Sequence, residues 1–149
     1  MESVRPDGFV VTDDRARIDI ARVHRWVSEE SYWAAGSSLD VVTRSIHGSI
    51  SLGCFGPDGE QIGITRLITD GAVFALISDV CADSKFRGRG LGKFLVQSAV
   101  EHPEVRDVRR MLLATSDAHE LYRRFGFTAL SSPERWMEMR STSTPASGE

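Results

Sequence analysis

Apolar residues recur along this chain with two periods, and the switches between them mark its elements. Phe9-Val-Val-Thr12 is short and β-branched and reads as the first strand. Asp13 and Asp14 stand where a helix cap belongs, and Ile20, Val23 and Val27 fall on one face, which predicts an amphipathic helix over 18–30. Gly36 interrupts it, and Leu39, Val42 and Ile46 predict a second short helix after Ser38. Strand patterns follow over 50–55, 61–69 and 73–82, joined by Gly56-Pro-Asp-Gly59 and Asp70-Gly71, so these three should form an antiparallel meander. The clearest helical stripe is Leu91, Phe94, Leu95, Ser98 and Ala99, stopped by Pro103. Met111 to Ala114 reads as a buried strand. Asp117, with Glu120 three residues on, offers a capping box for a helix that Gly126 ends. Phe127 to Leu130 should return as a strand, and Arg135-Trp-Met-Glu-Met139 alternates as a last edge strand. Residues 141–149 are rich in Ser, Thr, Pro and Gly and are expected to be disordered, which leaves a single domain over 1–140.

Composition narrows the class. A chain of 149 residues can bury a real core, and a formal net charge of −3 gives no long-range attraction for nucleic acid. No apolar run is long enough for a membrane span, and the N-terminus lacks a basic-then-apolar order. Cys54 and Cys81 match no zinc spacing and read as reduced thiols. The expectation is a cytoplasmic protein with no metal, no nucleic-acid partner and no membrane partner.

The chemistry concentrates in Phe86-Arg87-Gly88-Arg89-Gly90-Leu91-Gly92, a glycine-rich turn from strand into helix. Such a turn leaves backbone N–H groups unpaired at the positive end of the helix dipole, an arrangement that binds phosphate or pyrophosphate. Arg87 and Arg89 add charge. A dinucleotide fold would place its third glycine one residue later and a carboxylate after the next strand, where Thr115 and Ser116 stand instead. A P-loop would follow Gly92-Lys93 with Ser or Thr, and Phe94 stands there.

The spelling that fits is Arg-x-x-Gly-x-Gly, met by Arg87, Gly90 and Gly92, with Leu121-Tyr122-Arg-Arg-Phe-Gly126-Phe127 about 30 residues later. Together these closely resemble the acetyl-CoA-binding motif and the Leu-Tyr-x-x-x-Gly-Phe motif of the GNAT superfamily of N-acetyltransferases. The resemblance implies an α+β fold: a mixed, mostly antiparallel twisted sheet with helices on both faces. It implies acetyl-CoA as co-substrate, its pantetheine arm along Val80, Cys81 and Ala82. Its pyrophosphate would lie on the amides of Arg87, Gly88, Arg89, Gly90, Leu91 and Gly92. Tyr122 matches the tyrosine near the coenzyme sulfur, a phenol able to protonate the departing thiolate.

Asp79 interrupts an apolar strand just before the coenzyme-pairing stretch and is the candidate general base, with a structural pairing to an Arg or Ser as the alternative. The family's polyamine acetyltransferases carry an acidic pair here; Asp79 matches its second member and Ser78 replaces the first. Arg66 could pair with Asp79 or hold an acceptor carboxylate. His119, one turn before Tyr122, is a weaker candidate relay. Thr115 replaces an asparagine frequent in the family. Trp26, Tyr32, Trp33, Glu29 and Glu30 would either wall the acceptor pocket or, for the tryptophans, belong to the core. The activity expected is N-acetyl transfer to the primary amine of a small molecule by direct attack in a ternary complex. The rivals are a non-catalytic acyl-CoA-binding sensor and a protein N-acetyltransferase. The 135–139 edge strand would offer a homodimer surface.

Overall fold

The computed structural model describes residues 1–30 and 34–141, with only the backbone of Glu30. Tyr32, Trp33 and the tail beyond Ser141 lie outside the described residues. The meander forms as expected: β3 (Ile50–Phe55), β4 (Gln61–Thr69) and β5 (Phe74–Ala82) pair antiparallel. The β3–β4 turn closes with the Gly59 N–H on the Gly56 carbonyl at 2.9 Å. On the outer side lie β2 (Val10–Thr12), paired antiparallel to β3, and β1 (Glu2–Val4), paired antiparallel to β2. On the other side β6 (Arg110–Leu112) runs parallel to β5, reached through the crossover helix α3 (Leu91–Val100). The strand order is β1-β2-β3-β4-β5-β6, a mixed and mostly antiparallel sheet.

Helices cover both faces. The apolar stripe of α3 (Leu91, Phe94, Leu95, Ala99) packs on Val11, Leu52, Cys54, Leu67, Ala75 and Ile77. Ile62 joins this face because a bulge opposite Cys54/Phe55 shifts the register there. On the opposite face α1 (Ile20–Arg25) and α2 (Leu39–His47) bury Val23, Val42 and Ile46 against Ile64 and Ile18. Ser38 caps α2 by accepting from the Val41 N–H.

The structure corrects several expectations. β1 was not legible in the sequence: it is three residues long, and its one large apolar side chain, Val4, is 64 % exposed. The first helix starts at Ile20, where Asp19 accepts from the Arg22 N–H, while Asp14 caps a separate 3-10 turn over Arg15–Arg17. From Trp26 to Glu30 the helix continues as a π-turn. Asp117 does not cap α4 (His119–Arg123): Thr115 Oγ1 instead accepts from the Asp117 and Ala118 N–H groups, and Glu120 pairs with Arg123. Neither 127–130 nor 135–139 is a strand. β6 has three residues, a short edge on which to build a ladder, and Pro133 opens a 3-10 turn, Pro133–Arg135, that takes up the first residue of the second segment. Met137 and Met139 are left 96 and 97 % exposed. The edge strand foreseen as a dimer surface is therefore not formed.

Candidate active site

The glycine-rich turn begins where β5 ends. Asp83 caps a 3-10 turn over Ser84–Phe86, accepting from the Lys85 N–H, and the chain then passes through exposed Arg87 into two left-handed residues, Gly88 (φ 81) and Gly90 (φ 72). A side chain at either position would meet the left-handed penalty, which is why both are glycine. Gly90 is the N-cap of α3 and supplies no side-chain cap. The first-turn amides of α3, Leu91, Gly92 and Lys93, have no acceptor within the helix, while Phe94 donates to the Gly90 carbonyl at 3.0 Å. An uncapped helix start with two arginines beside it suits an anion.

On the strand that leads into this turn, the parallel ladder between β5 and β6 ends at Leu76↔Leu112, although β5 runs on to Ala82. Val80, Cys81 and Ala82 lie in that continuation. β5 also carries a bulge: Ile64 pairs with Cys81 and Arg66 with Ser78, so Asp79 and Val80 together stand opposite Thr65. Asp79 takes up the kink with a left-handed backbone, φ 56. Its carboxylate accepts from Arg66 Nε at 2.6 Å, and both side chains are nearly buried. The same guanidinium donates to the Ser45 carbonyl (3.2 Å), Ser49 Oγ (3.3 Å) and Ser78 Oγ (3.4 Å). Arg66 thus ties α2 to β5 through β4, and of its two foreseen roles the structure realises the pairing with Asp79. Cys54 is fully buried, and burial pushes its thiol up to about 12, so it carries no thiolate at neutral pH. Cys81 is half-buried.

Tyr122 sits on α4, 8 % exposed, with its ring edge-on to Phe127 at 6.0 Å between centroids. Gly126 (φ 92) ends the helix: its N–H donates to the Arg123 carbonyl and the Phe127 N–H to that of Tyr122. Tyr122 lines a cavity of about 730 Å³ together with Leu113, Ala114, Thr115, His119 and Phe127. Asp79 does not line this cavity. His119 is exposed. Trp26 is 1 % exposed in the α1–α2 core, so it walls no pocket, and Glu29 points to solvent. What sequence reasoning missed is the Asp79 bulge and the Thr115 loop bonds before α4; Arg66, the one charged residue in the 61–69 run, was the available signal for the first.

The model of an acetyltransferase (GNAT) domain matches residues 52–129, from β3 through α4. A solved GNAT-family acetyltransferase from Xanthomonas campestris pv. campestris is 38 % identical, with 93 % of this chain and 96 % of that chain covered and a TM-score of 0.86. The chain belongs to the GNAT acetyltransferase family. A Gibberella zeae protein named as an acetyltransferase is 26 % identical over 133 residues, 76 % of this chain and 75 % of that one. A GNAT acetyltransferase of Elizabethkingia anophelis, solved with acetyl-CoA bound, shares the fold at 13 % identity and a TM-score of 0.63, covering 95 % of this chain and 94 % of that chain. Among the described residues no helix is long and apolar enough to cross a membrane, and no group of three or more His, Cys, Asp or Glu is gathered that could hold a metal.

Proposed function

We propose that this GNAT protein transfers the acetyl group of acetyl-CoA to the primary amine of a small molecule. The observation that carries the reading is the uncapped start of α3 behind left-handed Gly88 and Gly90, reached from the stretch of β5 that runs on past the β5–β6 ladder. The pyrophosphate would lie on the amides of residues 87–92, with Arg87 and Arg89 adding charge, and the pantetheine arm would run along Val80, Cys81 and Ala82.

In the reaction, the amine nitrogen attacks the thioester carbonyl, a C–N bond forms, and the C–S bond breaks. One proton leaves the ammonium and one reaches the thiolate. An alkylammonium with a pKa of ~10.4 costs roughly 4 to 5 kcal/mol to deprotonate at pH 7, so a base contributes to the rate. Asp79 takes that proton through water, held in place by Arg66 and the β5 bulge. Tyr122, whose ring packs edge-on against Phe127, donates to the departing sulfur.

One observation favours a second reading. The Asp79 carboxylate is already engaged by Arg66, as it would be in an acyl-CoA sensor that performs no chemistry. Release of free CoA thiol from acetyl-CoA, followed with a panel of small primary amines, separates the two. The transferase releases thiol in proportion to one or more amines, and Tyr122→Phe slows that release while leaving the KM for acetyl-CoA in place. Binding of acetyl-CoA without amine-dependent thiol release would establish the sensor instead.

A further inference from the structure

Arg5 lies 84 residues before Arg89 of the glycine turn, outside both family motifs, yet its Nη1 donates to the Arg89 carbonyl at 2.9 Å. The side chain, 26 % exposed, is held by several further contacts. Nε and Nη2 donate to the two carboxylate oxygens of Asp7 at 3.0 and 2.6 Å, and the guanidinium carbon lies 5.2 Å from the Phe9 ring and 5.6 Å from the Phe94 ring. The turn that presents it is closed by the Arg5 N–H on the Phe9 carbonyl (2.8 Å) and the Gly8 N–H on the Arg5 carbonyl (2.9 Å). Phe94 belongs to α3, so Arg5 touches both the glycine turn and the helix that follows it.

The peptide linking Arg89 to Gly90 is planar and trans, so its N–H points opposite to its carbonyl. Fixing the carbonyl on Arg5 therefore fixes the Gly90 N–H on the far side. Because φ of Gly90 can take either sign, this peptide plane is easy to rotate, and a rotated plane would turn a carbonyl oxygen where an amide donor belongs. We propose that Arg5 is a positioning residue for the coenzyme: it locks the Arg89–Gly90 peptide so that the turn offers N–H groups, and no carbonyl, to the pyrophosphate. The inference rests on the acetyl-CoA reading above and adds to it a residue from the β1–β2 turn.

The test measures two things on the full chain. Calorimetric titration with acetyl-CoA compares wild type, Arg5→Ala and Arg5→Lys; the backbone ¹⁵N order parameter of Gly90 is measured on the coenzyme-free proteins, with Leu95 in α3 as the rigid reference. Arg5→Ala is expected to raise the Kd about tenfold, Arg5→Lys by less because an ammonium keeps the charge without the fork. In kinetics the KM for acetyl-CoA rises with Kd while kcat stays within about twofold. The Gly90 order parameter falls in Arg5→Ala while that of Leu95 stays in the rigid range, a change that a direct contact between Arg5 and the coenzyme would not produce. An unchanged Kd in Arg5→Ala, or an unchanged Gly90 order parameter, overturns the inference. A wild-type protein that does not bind acetyl-CoA sinks the functional reading itself, and the order parameter of Gly90 then decides the locking role alone. Should Arg5→Ala fail to fold, Arg5→Lys carries both measurements.

Discussion

Asp79 and Arg66 face each other with side chains only 10 and 11 % exposed, so each charge depends on the other for its burial. Removing one partner leaves an uncompensated buried charge, a loss of about 3–5 kcal/mol in comparable settings. Arg66→Met and Asp79→Asn should therefore each lower the urea midpoint by more than the double variant implies, a coupling that a double-mutant cycle reads directly. Asp79→Asn should also slow turnover, most strongly for the least acidic ammonium acceptors. Tyr122→Phe removes one hydroxyl and is expected to cut kcat by about 10²-fold with little effect on stability. Cys54 gives a pH signature. Its thiol ionises at about 12 in the folded chain against an ordinary value of 9.0, so the folded state favours the neutral form. The resulting stabilisation is full below pH 9 and is lost as pH rises from about 9 toward 12. Between pH 8 and 10 the unfolding free energy of the wild type should fall more steeply than that of Cys54→Val; parallel slopes would contradict the assignment. At this scale the sequence showed that charges interrupt apolar strands at 66 and 79. It did not show the one-residue bulge that sets them opposite each other, because register depends on partners distant in sequence.

Among the elements, α3 and its glycine turn were readable because a helical stripe of five residues and a stop at Pro103 are local signals. The three-residue strands were not. β1 has too few positions to display a period, and β6 is shorter than the apolar run Met111 to Ala114 suggested, because the parallel ladder stops at Leu112. The start of α4 was misread for a related reason: Asp117 is a competent cap, but the backbone path leaves α4 without a side-chain cap and gives the Asp117 and Ala118 N–H groups to Thr115 Oγ1 in the preceding loop. Thr115→Val should cost about 1 kcal/mol of stability and, by loosening the loop that leads into the helix of Tyr122, lower kcat more than it raises the KM for acetyl-CoA. The segments expected as strands over 127–130 and 135–139 alternate well enough in sequence. A pattern alone does not supply an edge to pair with, and none is paired to them here.

For the whole molecule, two apolar cores pack on opposite faces of the one sheet whose strand β5 leads into the candidate site. Trp26 belongs to the α1–α2 core, and Trp26→Ala should remove about 3–5 kcal/mol of stability, whereas a pocket wall would give a change in acceptor KM with little loss of stability. The fold class was legible because the order of periodic segments and two motifs agree on it. The acceptor was not, because acceptor contacts come from loops and helix ends that the fold does not prescribe. The central claim is that the turn from Arg87 to Gly92 binds acetyl-CoA. The most direct test is the thermal midpoint of the wild type and of Gly90→Glu, each with and without acetyl-CoA. Ligand at a hundredfold excess over its Kd stabilises by about 2.7 kcal/mol, which in a domain of this size is a rise of roughly 5–10 °C. The account predicts that rise in the wild type and none in Gly90→Glu, whose side chain strains a left-handed residue and places a carboxylate beside the anion site. A wild-type midpoint that does not move at millimolar acetyl-CoA would contradict it.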